Sequence, residues 1–194
     1  MSRTFDAGDL LSPETYARES KGLHAEVRAH RERRTVHIGP NAALMFEDAS
    51  TVRYQLQETL RMESISEDSA VQAEMDAYAV LIPDGSNFKA TFELGFADAN
   101  ERHARTAELI GVEAHVWMQV EGFARTFAIA GSSLERAAAN RIPAVRYLRF
   151  ELDNARVREL KKGGRLFVGI DHPAYRASLA LAEDVRRLLL QDLR

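Results

Sequence analysis

Apolar and polar residues recur at helical spacing between Val52 and Ile65, a segment that carries more functional groups per turn than any other. At about 100° per residue, one side of this predicted helix is an apolar row of Val52, Leu56 and Leu60. A second apolar group, on roughly the opposite side, consists of Tyr54, Met62 and Ile65. Because a surface helix usually has one apolar stripe, this pattern predicts a helix packed between two layers.

A polar row lies between the two apolar groups of the predicted helix. It consists of Arg53, Gln57 and Arg61, with Glu58 beside it. Enclosed charged groups must be paired and hydrogen-bonded to be stable. One interpretation is therefore a network of ion pairs that holds the helix in register. Another is a ligand site in which the two arginines bind a carboxylate or another anion, and a third is a solvated face.

Caps, turns and alternating residues divide the rest of the chain into further elements. Ser12 and Pro13 predict the start of a helix that runs to about Arg33. A hairpin is predicted around Gly122. Other strands are predicted at residues 35–38, 43–47, 88–94, 145–152 and 166–170. Capping boxes at residues 69–72 and 132–135 predict the starts of two more helices. Further helices are predicted at residues 98–110 and 153–163, and a last one from residue 171 onwards.

Mixed runs of strands and helices, with a hairpin among them, favour an α+β fold. We predict a largely antiparallel sheet covered on one side by helices. A chain of 194 residues without an evident repeat or linker is predicted to be a single domain, residues 1–194. Within it, residues 1–34 are expected to form a helical segment that packs on the rest. The apolar face of the last helix either closes the core or forms a homodimer interface.

The composition of the chain excludes some classes of function and disfavours others. The chain has no cysteine, which excludes disulfides, thiolate nucleophiles and cysteine-bound metal centres. A net charge of −3 gives no general attraction to nucleic acid, so the arginines between residues 28 and 34 are expected to form a solvated helical face. The amino terminus lacks the apolar core of a signal peptide, and no segment is long enough to span a bilayer. We expect a cytoplasmic protein with no membrane or nucleic-acid partner.

Two further groups of residues are candidates for a ligand site. The loop at residues 81–87 concentrates turn-forming residues, with Gly85 or Asn87 expected at positive φ, and its backbone N–H groups could bind an anion with help from Asp84, Ser86 and Asn87. His172 follows a predicted strand and precedes a predicted helix, so it is either an acid–base group or a residue that fixes the loop before Pro173. No histidine pair has the spacing of a metal site on a helix, and we predict neither a metal nor a cofactor.

Several stretches of the chain resemble a known bacterial family. They are RRTVHIGPNAALMFED from Arg33, TVRYQLQETLRME from Thr51, LIPDGSNFKATF from Leu81 and VGIDHPAY from Val168, with VWMQVEG and YLRFEL between them. In these stretches the chain resembles the family catalogued as domain of unknown function 3501. The resemblance implies gene neighbourhoods shared with rubrerythrin-like di-iron proteins and with iron–sulfur proteins of the heterodisulfide-reductase type. It therefore implies an accessory role in oxidative-stress or electron-transfer chemistry.

Two functional hypotheses follow. The first is a non-catalytic accessory or docking protein whose partner is an iron–sulfur or rubrerythrin-like protein. The second is a small anionic-ligand-binding protein or an enzyme, and it requires the candidate residues to converge on one pocket. Those residues are Arg53, Gln57, Glu58, Arg61, Asp84, Ser86, Asn87 and His172. Nucleic-acid binding through the arginine cluster is disfavoured by the charge balance, and whether the protein is an enzyme stays open.

Overall fold

The helices of the protein were located in a computed structural model, which describes residues 8, 10–98, 104–105, 107–130 and 145–194. Their bounds are α1 Pro13–Arg33, α2 Ala49–Met62, α3 Asp68–Ala79, α4 Asn154–Lys162 and α5 Glu183–Leu189. Single 3-10 turns lie at Val112–His115 and Leu190–Asp192. Within the described ranges, no helix is both long enough and apolar enough to cross a membrane.

The strands of the described residues form two antiparallel sheets. Sheet A has the order β1-β2-β3-β7-β6 and sheet B has the order β5-β4-β8-β9. The bounds are β1 Thr35–Ile38, β2 Ala42–Phe46, β3 Asn87–Leu94, β4 Val116–Val120, β5 Thr126–Phe127, β6 Ile129–Ala130, β7 Val145–Glu151, β8 Leu166–His172 and β9 Tyr175–Ala180. The predicted α+β class with antiparallel pairing is therefore confirmed, although there are two sheets where one was expected.

The change from sheet B to sheet A takes place within the segment predicted as the second strand of the hairpin. Phe127 of β5 pairs with Trp117, whereas Ile129 of β6 pairs with Arg149 in the other sheet. Ala128, between them, donates its N–H to the carbonyl oxygen of Val116 at 2.8 Å. A strand that changes sheets in this way makes a corner of a two-sheet fold. The alternation of apolar and polar residues along the strand does not reveal that its pairing partner changes.

Two hydrophobic clusters hold the layers together. The larger cluster brings buried residues of both sheets together with Val157 and Leu160 of α4 and Leu189 of α5. The smaller cluster lies under α2 and α3, and it contains Val52, Leu56, Leu60, Met75, Tyr78, Leu81 and Ile82. The predicted apolar row of α2 is therefore buried as expected. Burying such side chains stabilises the fold by about 1.5–3 kcal/mol each.

The second apolar group of α2 does not form a second buried face. Met62 is 72% exposed, Tyr54 is half-buried, and Ile65 packs against the same cluster as Val52. The prediction of a helix with apolar layers on two sides is therefore wrong. The physical reason is that α1 and α2 leave an open cleft beside Tyr54, although the Tyr16 hydroxyl joins the two helices by donating to the Glu58 carboxylate at 2.6 Å.

Capping side chains mark the starts of three helices. Ser12 caps α1, Asp48 caps α2 with a reciprocal bond to Thr51, and Asp153 caps α4, which ends at Gly163 with φ +110°. The capping box predicted at residues 69–72 is wrong, because α3 begins at Asp68 and the Ser69 hydroxyl donates to Glu67 instead. The helix predicted from residue 132, and parts of the one predicted at 98–110, lie outside the described residues.

The segment after Asp171 is a hairpin and not the start of the last helix. His172 pairs with Tyr175 across the β8–β9 turn, and α5 begins only at Glu183. Tyr175 is buried, and its hydroxyl donates to the Ile38 carbonyl at 2.6 Å and accepts the Asn41 N–H at 3.1 Å. These bonds between the sheets fix the strand, so the predicted helix start at Asp171, His172 and Pro173 is wrong.

Glycine is required at residue 169, on the outer face of sheet B. A Cβ atom there would lie 2.3 Å from Cζ2 of Trp117 and 2.8 Å from Cβ of Ser178. We expect Gly169→Ala to lower the free energy of unfolding by about 1–3 kcal/mol through overpacking. Urea denaturation followed by the fluorescence of the single tryptophan measures this.

The matched control for that change is Gly22→Ala in α1, where a Cβ meets nothing within 4 Å. There alanine is expected to stabilise the helix by about 0.5–1 kcal/mol. Equal stability of the Gly169→Ala variant and the unaltered protein would contradict the contact between residue 169 and the indole ring.

Candidate functional site

A cleft lies between α1 and α2. The two helices run antiparallel, because Tyr16 near the start of α1 contacts Glu58 near the end of α2. At the opposite end, His30 of α1 lies 2.6 Å from the Asp48 carboxylate, which caps α2. The cleft has a volume of about 530 Å³. It is therefore large enough for several side chains or a small molecule.

The lining of the α1–α2 cleft combines apolar and charged groups. Its aliphatic and aromatic residues are Leu11, Tyr16, Leu23, Val27 and Tyr54. Its acidic residues are Glu19 and Glu26, and its cationic side chains are Arg33 and Arg53, beside His30. Within the part of the chain that the structure describes, neither Arg33 nor Arg53 has an ion-pair or hydrogen-bond partner. Two guanidinium groups are therefore available to an incoming anion.

Gln57 and Glu58 of the predicted polar row hold the chain together. The Gln57 side chain is buried, and its amide accepts the Leu11 N–H at 3.0 Å and donates to the Leu11 carbonyl at 3.2 Å. Glu58 accepts the Tyr16 hydroxyl and a fork of two N–H groups from Arg61, at 3.0 and 3.1 Å. The Arg61 hydrogen bonds lower the pKa of Glu58, although burial opposes them.

The two arginines of the row lie in separate places. Arg53 lines the α1–α2 cleft, whereas Arg61 lines another hollow with Lys21 and His24. Both arginines are exposed, so the expected shielding of their guanidinium groups from water is wrong. Gln57 and Glu58 are the members of the row that are enclosed.

The turn at residues 84–87 closes on itself. The Asp84 carboxylate accepts the backbone N–H and the hydroxyl of Ser86 at 2.9 and 2.7 Å, and the side-chain amide of Asn87 at 2.7 Å. These bonds lower the pKa of Asp84 against the effect of burial. The predicted positive φ falls on Gly85, at +102°. The groups expected to bind an anion are therefore used within the turn.

His172 lies in sheet B and not at a helix start. It is buried, and its Nδ1 atom accepts the Ala174 N–H at 3.2 Å, which fixes the hairpin turn. Its ring meets the edge of His115, with 5.0 Å between the ring centroids. The described structure thus does not gather the eight candidate residues into one cavity. Ligand binding by any of them stays a prediction.

A buried polar cluster below the cleft was missed by the sequence reasoning. Arg34 was grouped with a solvated arginine face, but it is only 1% exposed. Its guanidinium donates to the carbonyls of Phe46 at 2.8 Å and Glu47 at 3.2 Å, and it pairs with Asp192. A second carboxylate, that of Asp48, lies 3.5 Å from the guanidinium. The carboxy-terminal end is thereby joined to the start of α2.

The two carboxylates around Arg34 differ in acidity. Burial raises the pKa of Asp192 to about 6, and the nearby Asp48 charge adds to the rise. Burial also opposes ionisation of Asp48, but the Arg34 charge, the Thr51 N–H and His30 together lower the pKa of Asp48. Because both carboxylates share one guanidinium, only one of them is stabilised fully as the charged form.

Glu47 forms a second buried polar group next to this cluster. It is 1% exposed and accepts hydrogen bonds from the hydroxyls of Thr51 and Thr91 and from the Gln55 amide, at 3.2 Å. Burial raises the pKa of Glu47 despite these bonds. A glutamate at the end of an apolar strand carries a weak sequence signal for burial.

The described residues contain no group of three side chains suited to a metal ion.

Comparison with known proteins identifies the family. The family described as "Protein of unknown function (DUF3501)" matches the chain over residues 4–193. The chain belongs to this family. The chain is similar to a crystal structure from Burkholderia pseudomallei K96243, described as that of a novel protein of unknown function, with 42% sequence identity and a TM-score of 0.90. The match covers 98% of this chain and 100% of that one. Among curated proteins, none matches.

Two of the stretches that carry the family resemblance meet at the site. The stretch from Arg33 contributes Arg34, Glu47 and Asp48, and the stretch from Thr51 contributes the α2 wall of the cleft. The fold therefore places the buried cluster directly beneath the start of the helix that bears Arg53. Within this family member, the cluster fixes the position of α2, and α2 forms the cleft.

Proposed function

We propose that the protein is a non-catalytic accessory protein that docks a segment of a partner protein in the α1–α2 cleft. The observation that carries the proposal is the shape of the cleft. Its α1 wall extends from Tyr16 to Arg33, which corresponds to about 26 Å along a helix at 1.5 Å per residue. A groove of that length between two helices suits an amphipathic helix or an extended segment better than a compact metabolite.

The lining supports the same proposal through its chemistry. Apolar residues such as Leu23 and Tyr54 supply the contacts that give affinity, while charges orient a partner. On α1, Glu19 and Glu26 precede His30 and Arg33, so the two ends of the groove differ in charge. A docked segment is expected to place an acidic group near Arg33 and Arg53 and a basic group near Glu19.

The class of partner comes from the family resemblance. We propose a metalloprotein of the iron–sulfur or rubrerythrin-like type, in oxidative-stress or electron-transfer chemistry within the cytoplasm. Such a partner would hold the metal, and this chain would contribute the docking surface. An amphipathic segment with an acidic end is the feature of that partner that the cleft would recognise.

Site-specific photo-crosslinking in cells tests this proposal. A photoreactive residue in place of Leu23, which lines the cleft, is expected to capture one defined protein. Capture should be lost when Arg53→Glu is introduced. The captured protein, once purified, should bind the Arg53→Glu variant at least about tenfold more weakly than the unaltered protein in calorimetry, because a steering charge is reversed.

The controls lie on α4, away from the cleft. A photoreactive residue at the exposed Lys161 should capture nothing comparable, and Arg158→Glu should leave the measured affinity unchanged. Equal capture from Lys161, or equal affinity of the Arg53→Glu variant, would exclude the cleft as the docking site.

The alternative is a small anionic ligand held between Arg33 and Arg53. The observation that favours it is the lack of a described partner for either guanidinium group. In that case native mass spectrometry of the purified protein should show a small bound anion, and crosslinking from residue 23 should capture no protein.

A further inference from the structure

The outer face of sheet B has a further hollow that shares no residue with the α1–α2 cleft. Its volume is about 230 Å³, and its lining includes Trp117 of β4, Arg125, Asp171 of β8, and Arg176 and Ser178 of β9. The hollow is separate from the docking surface proposed above, so the two can be tested independently.

Trp117 is the buried element of this hollow. It is 4% exposed, and its indole N–H has no acceptor among the described residues. Leaving a buried donor without an acceptor costs about 1–3 kcal/mol. The ring lies across Gly169, where any side chain would collide with it. The backbone is therefore adapted to hold an indole in this position, and its buried N–H is left without an acceptor.

The two arginines of the hollow are held by one carboxylate. Arg125 stacks on the Trp117 ring, with its guanidinium carbon 4.0 Å from the centroid. Arg125 and Arg176 each lie 3.4 Å from the Asp171 carboxylate. Two guanidinium groups and one carboxylate leave a net charge of +1. A guanidinium has five N–H donors, so both arginines retain donors that Asp171 does not use.

The remaining polar group of the hollow is the Ser178 hydroxyl. It is exposed and has no hydrogen-bond partner among the described residues. Ser178 faces Gly169 across the β8–β9 pair, on the side of the sheet that carries Trp117. Apart from the Asp171 carboxylate, which the two arginines pair with, the polar groups of the hollow can all donate hydrogen bonds: an indole N–H, a hydroxyl and two guanidinium groups.

We propose that this hollow binds an oxyanion, a carboxylate or phosphate group of a small molecule. The indole N–H and the Ser178 hydroxyl donate to its oxygens, and Arg176 and Arg125 neutralise its charge. The net charge of +1 matches a singly charged group, and Asp171 keeps the two arginines in place. The anion supplies the acceptor that the buried indole N–H lacks.

The single tryptophan of the chain makes a direct test possible. A ¹⁵N-labelled sample has one indole N–H signal, which can be followed in ¹H–¹⁵N spectra during titration with sodium acetate or sodium phosphate. Sodium chloride replaces each salt to keep the ionic strength constant. The expected result is a saturable downfield shift of the indole proton. The ion that saturates at lower concentration identifies the class of oxyanion.

Variants of exposed residues keep this test independent of folding. Arg176 is 73% exposed, so Arg176→Ala should fold, and it is expected to weaken the apparent affinity about tenfold or more. Ser178→Ala should weaken it less. Arg165→Ala, which removes an exposed arginine paired with Glu121 outside the hollow, should leave the affinity unchanged. A non-saturable indole shift, or equal shifts in the Arg176→Ala and Arg165→Ala variants, would overturn the proposal. Failure of the docking experiment at Leu23 would not affect it.

Discussion

Replacing Arg34 with methionine is expected to lower the free energy of unfolding by about 3–5 kcal/mol at neutral pH. Methionine fills much of the same volume but leaves the buried Asp192 carboxylate without its cation. It also leaves the Phe46 and Glu47 carbonyls without the donors that Arg34 supplies. For a chain of this size the midpoint temperature should fall on the order of 10 °C. Urea and thermal denaturation followed by circular dichroism measure both quantities.

Two further variants separate the lost ion pair from a simple loss of packing. Arg33→Met removes the neighbouring exposed arginine and should change stability by less than about 0.5 kcal/mol. Adding Asp192→Leu to the Arg34→Met protein should restore part of the loss, since no unpaired charge then remains buried. If Arg34→Met is as stable as Arg33→Met, Arg34 does not carry the interactions seen in the structure.

Local signals in the sequence predicted much of the fold. The bounds of α1 follow from Ser12 and Pro13 at its start, and those of α4 from Asp153 and Gly163. Capping is decided by residues within one turn of the helix end, so it can be inferred without knowing the tertiary structure. The alternation of apolar and polar residues at 88–94 predicted β3. This pattern is visible in the sequence because one face of that strand packs on the core.

Long-range packing decided the elements that the sequence did not reveal. Residues 175–180 form a strand by pairing with β8, and Tyr175 joins that strand to Ile38 and to Asn41 in the β1–β2 turn. Nothing near Asp171 indicates these contacts, and the Asp-His-Pro sequence is equally suited to a helix start. The same holds for the corner at Ala128, where the change of sheet depends on which strand lies alongside.

The sequence predicted the site only in part, because most contacts of the site residues join distant parts of the chain. The spacing in α2 placed Arg53 and Gln57 in one polar row of a helix, but it could not show that Gln57 bonds to Leu11. In the sequence, Arg34 is not distinguishable from its exposed neighbours. It is buried because the fold brings Asp192, which is 158 residues away, into contact with it. Trp117 was part of a stretch that carried the family resemblance, yet its unpaired N–H depends on strands β8 and β9.

Stability is also expected to depend on pH through Asp192. Burial raises the pKa of Asp192 to about 6 in the folded protein, from an ordinary value of 3.8. Between these two values the folded state binds more protons than the unfolded state. The free energy of unfolding contributed by this group therefore falls as pH rises. From about pH 4 to about pH 7 the fall should be on the order of 2 kcal/mol.

Comparison with Asp192→Asn isolates this contribution, because asparagine does not ionise. Urea denaturation at a series of pH values should show the unaltered protein losing stability relative to the variant as pH rises, with most of the change complete above pH 6. Glu47, whose pKa is also raised, is present in both proteins, so its effect largely cancels in the difference. Asp48 titrates below this window, since its pKa is lowered. A difference that is flat across the window would mean that Asp192 stays ionised beside Arg34. In that case the Arg34→Met penalty should persist at pH 5, whereas a protonated Asp192 should reduce it there.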